Sequence, residues 1–194
     1  MAARTDPALL LYPGASAGRD QSALVAIDHA ASGATPPWQV VRADFPYRRE
    51  GRKAPDRAPK LMAAVREELV QLGSGPVVVG GRSMGGRICS MIAAGADGEP
   101  IPIDVIGLSL VSYPLHPPGK ADRLRVEHLP DLHVPCLFVH GTRDPFGSPD
   151  ELTEATAAIP GAATHVWIDG GRHDLRGADT KVATAVVNWL ATFR

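Results

Sequence analysis

PVVVGGRSMGGRICSMI, residues 76–92, is the stretch that decides the fold. It opens on Val77, Val78 and Val79, whose branched β-carbons favour an extended chain. It ends on Ile88, Met91 and Ile92, spaced three and one apart, which share one face of a helix. Between them lies Gly81-Arg82-Ser83-Met84-Gly85, a G-x-S-x-G pattern. A serine at the apex of a strand-to-helix turn is held in a strained conformation, and the residues two places either side must be very small. Gly81 and Gly85 meet that need. The turn would push the Ser83 hydroxyl outward, and the helix that follows would aim its N-terminus at developing negative charge.

Working outward, five further apolar runs read as strands: Ala8–Tyr12, Gln39–Ala43, Asp104–Val111, Cys136–His140 and Thr164–Ile168, with Pro76–Gly80 as the third in chain order. Most are continuously apolar, as strands covered on both faces are. Helical spacing separates them. Leu61, Val65, Leu69 and Leu72 form one stripe, and Val182, Val186, Trp189 and Leu190 another. Ala23–Ala30 and Asp150–Ala158 are weaker helical segments. This alternation predicts a three-layer α/β fold in a single domain over 1–194, with about six mostly parallel strands, helices on both faces and no large lid.

In such a sheet, ligands bind beyond the C-terminal ends of the strands. A serine needs a base and an orienting acid, and both are expected there. His140-Gly-Thr-Arg-Asp144 follows the fifth strand, and Gly170-Gly171-Arg172-His173 follows the sixth. The order Ser83, Asp144, His173 is the chain order of this arrangement. Other histidines fit less well. His140 lies in or at the end of a strand, where a packing or hydrogen-bonding role is expected. His165 begins a strand, at the wrong edge, and His128 and His133 read as solvated. Asp174 adjoins His173 in sequence, a poor position for orienting its ring, and Asp169 is a weaker substitute for Asp144. The oxyanion donors are expected to be the backbone N–H of Met84 and one from Tyr12-Pro13-Gly14-Ala15-Ser16-Ala17-Gly18. Ala15 is the best candidate, since Pro13 has no N–H. That loop lacks GxGxxG and GKS/T, so a nucleotide reading is poor.

Composition narrows the classes. The 194 residues carry 20 basic and 21 acidic side chains, a net charge of -1, which gives no general reason to expect nucleic acid or an anionic membrane. No apolar run approaches the roughly 20 residues of a membrane span. The N-terminal residues do not read as a signal peptide. Cys89 and Cys136 have no metal-ligand spacing and read as small buried residues in a reducing compartment, so a cytoplasmic location is expected, with no metal or organic cofactor.

FPYRREGRKAPDRAPKL (45–61), GGRSMGGR (80–87), SYPLHPPGK (112–120), LFVHGTRDPFG (137–147) and GGRHDL (170–175) together resemble one family. It is the dienelactone-hydrolase-like branch of the α/β-hydrolases, which includes the testis-expressed hydrolase-like proteins and the hydrolase-like subunit of the non-specific-lethal complex. The resemblance implies a hydrolase core with Ser83, Asp144 and His173 at the triad positions. Dienelactone hydrolase proper uses a cysteine nucleophile, so lactone specificity is not implied.

Two stretches flank the expected site. Arg48, Arg49, Arg52, Lys53, Arg57 and Lys60 face only Glu50 and Asp56, a local charge of +4. They read either as a docking surface for an anion or as a solvated loop. Tyr113-Pro-Leu-His116-Pro-Pro reads as a stiff wall of the cleft, with Arg82, Tyr113 and His116 as pocket residues. For His116 a structural hydrogen bond is the other reading. The expected function is a serine hydrolase acting on a small ester or thioester. The alternative is a protein-binding module on the same scaffold, with little or no turnover.

Overall fold

Six strands lie side by side in the computed structural model, which describes residues 6–101 and 103–193. They are β1 (Ala8–Tyr12), β2 (Gln39–Arg42), β3 (Val77–Arg82), β4 (Val105–Val111), β5 (Cys136–Gly141) and β6 (Ala163–Ile168). Every neighbouring pair is parallel, in the order β2-β1-β3-β4-β5-β6. Parallel strands need crossovers. Four of the five run through α1 (Ser22–Ser32), α2 (Pro46–Arg49) with α3 (Ala58–Leu72), α4 (Met84–Ala93) and α5 (Pro149–Thr156); the β4–β5 connection has only a 3-10 turn at Leu129–Asp131, and α6 (Asp179–Leu190) closes the chain.

The strand alternation divides the core in two. Ala8, Leu10 and Tyr12 point to the side covered by Leu61, Val65 and Leu69 of α3 and Ile88 and Ile92 of α4. Leu9 and Leu11 point to the other side, covered by Leu24 and Ile27 of α1 and Val182, Val186 and Leu190 of α6. Burying one such leucine contributes roughly 1.5–3 kcal/mol. Central strands buried on both faces account for their unbroken apolar sequence, and the result is the three-layer α/β-hydrolase fold. No helix among the described residues is long and apolar enough to cross a membrane.

Strand ends differ from the sequence reading by one or two residues. The largest difference is β3, which runs on through Gly80 and Gly81 to Arg82. A Cβ on Gly80 would stand 2.0 Å from Ser109 O, so bare backbone is what lets the sheet stay closed there. The short α2 was not legible, being only four residues long. It begins with Pro46 at its first turn, a position where a missing N–H costs nothing.

The position of the site follows from strand order. From β1 the chain goes to β2 on one side, then returns to β3 on the other. The crossovers diverge above β1 and β3 and leave a crevice at their C-terminal ends. The loop after β1 and the turn after β3 both open into it.

Candidate active site

Ser83 occupies the turn between β3 and α4 with φ 51° and ψ −118°. A non-glycine residue there costs on the order of 1–3 kcal/mol and needs support from its surroundings. Its N–H is tied to Val111 O at 2.8 Å. Crowding explains the glycines: a Cβ on Gly81 would lie 2.0 Å from Tyr12 O, and one on Gly85 2.4 Å from the same oxygen. Bare backbone at these two positions is what lets the turn and the start of α4 lie directly against β1.

The partly exposed Ser83 hydroxyl meets a histidine. Ser83 Oγ is 2.8 Å from His173 Nε2, and His173 Nδ1 is 2.8 Å from Asp144 Oδ2 and 3.0 Å from Oδ1. A carboxylate only accepts, so Nδ1 carries the ring proton and Nε2 keeps a lone pair facing the serine O–H. Asp144 is held in turn. Its side chain is fully buried, its Oδ1 accepts the Phe146 N–H at 2.9 Å, and Phe146 stacks on the His173 ring at 4.0 Å. His140 lies 3.5 Å from Asp144 Oδ2, and its Nε2–H donates to Gly147 O at 2.9 Å. Burial pushes its pKa down, which keeps it neutral and leaves the Asp144 charge for His173.

The acid and the base come from different loops, and backbone contacts fix their spacing. Arg143 N–H donates to Gly171 O at 2.8 Å, and Gly170 N–H donates to Thr142 Oγ1, also at 2.8 Å. Arg82 adds a third link, since its Nη2 donates to His173 O. On the opposite wall, Gly14 N–H donates to Gln21 Oε1 at 3.1 Å, and Tyr47 O–H donates to Ala15 O at 2.7 Å. These two bonds hold the loop on either side of the Ala15 N–H. Met84 opens α4, so its N–H belongs to the first turn, where helical donors lack partners within the helix. Ala15 and Met84 line one cleft of about 400 Å³ together with Ser83 and His173.

The alpha/beta hydrolase domain family matches residues 5–192. The chain belongs to it. Solved structures share the fold at low identity. Est1E from Butyrivibrio proteoclasticus is 15% identical with a TM-score of 0.74, covering 97% of this chain and 88% of its own. A dienelactone hydrolase from Anabaena variabilis is 16% identical with a TM-score of 0.74, covering 98% of this chain and 88% of its own. The type II thioesterase BorB of the borrelidin biosynthetic cluster is 17% identical, TM-score 0.69, covering 99% and 94%.

Within this hydrolase domain the other sequence candidates separate clearly. Asp174 is exposed, and Asp169 accepts from Thr142 Oγ1 at 3.4 Å. His165 pairs with Thr156 Oγ1 at 2.9 Å, away from the cleft. Of the three expected pocket residues only Arg82 lines the cleft. Tyr113 is buried and donates its O–H to Arg125 O at 2.9 Å. His116 is also buried, with Nδ1 donating to Pro117 O at 2.9 Å, the structural role rather than the substrate contact. The physical reason is Ser112, whose φ of 51° turns the chain so that Pro114 faces the cleft while its neighbours pack inward.

His128 also departs from expectation. It is buried rather than solvated, with Nε2 2.7 Å from Ser90 Oγ. Sequence separation of 38 residues hid that partner. The residues missed altogether are Tyr47, Gln21, Arg87 and Arg125. Arg87 alone had a readable signal, standing one helical turn after Ser83.

Proposed function

We propose that this hydrolase domain is a serine hydrolase that cleaves a small carboxylic ester or thioester through an acyl-enzyme. The observation that carries it is the unbroken relay from Ser83 Oγ through His173 to Asp144, with both steps at 2.8 Å. As Ser83 Oγ attacks the acyl carbon, its proton passes to His173 Nε2, and Asp144 stabilises the imidazolium that forms. The carbonyl oxygen gains negative charge, which the N–H groups of Met84 and Ala15 are proposed to receive. His173 then gives the proton to the departing alcohol or thiol. Water deacylates the serine by the same route in reverse, and every proton is moved by the chain's own residues.

The finer resemblance to the testis-expressed branch rests on the sequence segments quoted above and does not specify a substrate. The protein-docking reading of the basic stretch at 48–60 has less support. Arg52 and Lys60 are both paired with Glu50 and Asp56, at distances from 2.6 to 3.5 Å. Both acids of the stretch are thus spent on Arg52 and Lys60, and the net charge of +4 stays on Arg48, Arg49, Lys53 and Arg57, none of which lines the cleft with Ser83.

The test is covalent labelling by a fluorophosphonate, followed by intact mass and peptide mapping. One adduct on Ser83, lost in Ser83→Ala, is the expected outcome. No adduct, or one that persists in Ser83→Ala, overturns the proposal.

A further inference from the structure

Arginine is treated in two ways in this molecule. Arg66 binds Asp97 through two bonds of 2.6 and 2.7 Å, and Arg42 binds Asp20 and Asp28, each at 2.9 Å. These half-buried guanidiniums have carboxylate partners. Three others line the cleft with Ser83: Arg82, Arg87 and Arg125. No carboxylate of the described residues comes within 4 Å of any of them, and no acidic residue lines the cleft.

Arg82 holds His173 O through Nη2, although its Nε, like that of Arg87, is buried without a hydrogen-bond partner. The other two guanidiniums have no bond to the catalytic loops. Arg87 Nε is buried without a hydrogen-bond partner, and Arg125 has only a long bond of 3.4 Å from Nη1 to Pro114 O. Burial, and then the charge of Arg87, pulls the Arg125 pKa below its usual value. Glu127 lies close enough to act on Arg125 through space but does not pair with it.

Two unpaired cations side by side in a partly desolvated cleft repel one another, an arrangement that disfavours the empty site. The chain nonetheless fixes both in place. Ser90 Oγ donates to Arg87 O at 2.8 Å, and His128 backs Ser90. Tyr113 O–H holds Arg125 O, and Arg125 N–H donates to Leu115 O at 2.8 Å. These buried side chains secure the two points from which the guanidiniums reach into the cleft.

We infer that the substrate carries an oxyanion group, a carboxylate or a phosphate, which Arg87 and Arg125 receive beside Ser83. Planar guanidinium forks match both anions through paired N–H donors. The inference deepens the hydrolase reading and rests on it for the reacting bond, while the anion contact stands on the arginines alone. Arg87 leaves α4 one turn after Ser83, its N–H bonded to Ser83 O at 3.0 Å. A bound anion would therefore lie within a few bonds of the scissile carbonyl, which suits a short acyl or alcohol chain.

The test compares kcat/KM for p-nitrophenyl butyrate, the p-nitrophenyl hemiester of succinate, and the p-nitrophenyl ester of 3-phosphonopropionate. At least one anionic ester is expected to exceed the neutral one tenfold or more, and which one separates carboxylate from phosphate. Arg87→Gln and Arg125→Gln should each lower that preference at least tenfold. Arg125→Glu should shift it toward an ester bearing a trimethylammonium group, a gain that misfolding cannot imitate. Titration calorimetry of Ser83→Ala protein with succinate and with inorganic phosphate reads the anion contact without turnover. Tenfold weaker binding after adding Arg125→Gln upholds the inference even if no ester is cleaved. Equal handling of neutral and anionic esters, with neither anion bound, overturns it and leaves the hydrolase reading intact. Failure of Ser83 labelling would overturn the latter alone.

Discussion

Ser83 and Ser90 each stand against a histidine Nε2, at 2.8 and 2.7 Å, one just before α4 and the other two turns along it. Distance does not tell them apart. Proton placement does. Ser90 spends its only hydrogen on Arg87 O, so His128 must donate to it and has no lone pair to offer. Ser83 can donate to His173, because Asp144 claims the proton on the other ring nitrogen. Ser90 is also fully buried, whereas Ser83 is partly exposed on a strained backbone. What sets the proposed nucleophile apart from Ser90 is an acid that fixes the histidine tautomer and a turn that presents the oxygen.

The sharpest way to break this contrast is to remove the acid. Asp144→Asn leaves the shape of the site in place but inverts the hydrogen-bond demand on His173 Nδ1. The expected result is a fall in kcat of about 10⁴-fold on any ester found to be turned over. Ser90→Ala removes the other pair and should leave the fluorophosphonate adduct on Ser83. Its cost should appear in urea unfolding as about 1–3 kcal/mol, from the buried His128 Nε2 left without its partner.

Acid should act on the same buried pair. Burial first, and then Arg87, brings His128 down from 6.5 to about 4. The unfolded chain therefore takes up the proton more readily than the folded one. Stability from this group is complete above pH 6.5 and declines as pH falls toward 4. The loss at pH 5 is about 2 kcal/mol. His140 and His165, both lowered by burial, act in the same direction. Unfolding midpoints at pH 7 and pH 5 should differ less in His128→Asn than in the parent. An unchanged difference would show that His128 is not held neutral.

The smallest effect should follow Tyr47→Phe, which deletes the donor to Ala15 O and nothing else. A drop in kcat of roughly threefold to tenfold is expected, with about 1 kcal/mol lost in stability. A change in KM with kcat untouched would mean that the loop serves binding, not the oxyanion.

Much of this was legible in sequence, for reasons that can be named. The strands could be read because burial on both faces removes polar residues from them. Ser83, Asp144 and His173 could be read because each follows a strand and so falls on one edge of the sheet. What escaped depended on contacts between distant segments or on small backbone turns. His140 follows the strand pattern, but its place behind Asp144 depends on where Gly147 comes to rest. Tyr113 and His116 were expected in the cleft because they follow a strand on the site edge of the sheet. A single residue in the left-handed region, Ser112, turned them away.

The pairing of β1 with β3 has one further consequence. Tyr12 is in register with Gly81, and the proposed oxyanion donors, Ala15 and Met84, each stand three residues beyond that pair. Their separation is thus gauged by the interval between adjacent strands, about 4.8 Å, which is among the least variable lengths in a protein. The sheet acts here as a ruler. Adding or deleting one residue on either arm would put the two amides out of step, and the Gln21 and Tyr47 bonds hold the Ala15 arm at its mark.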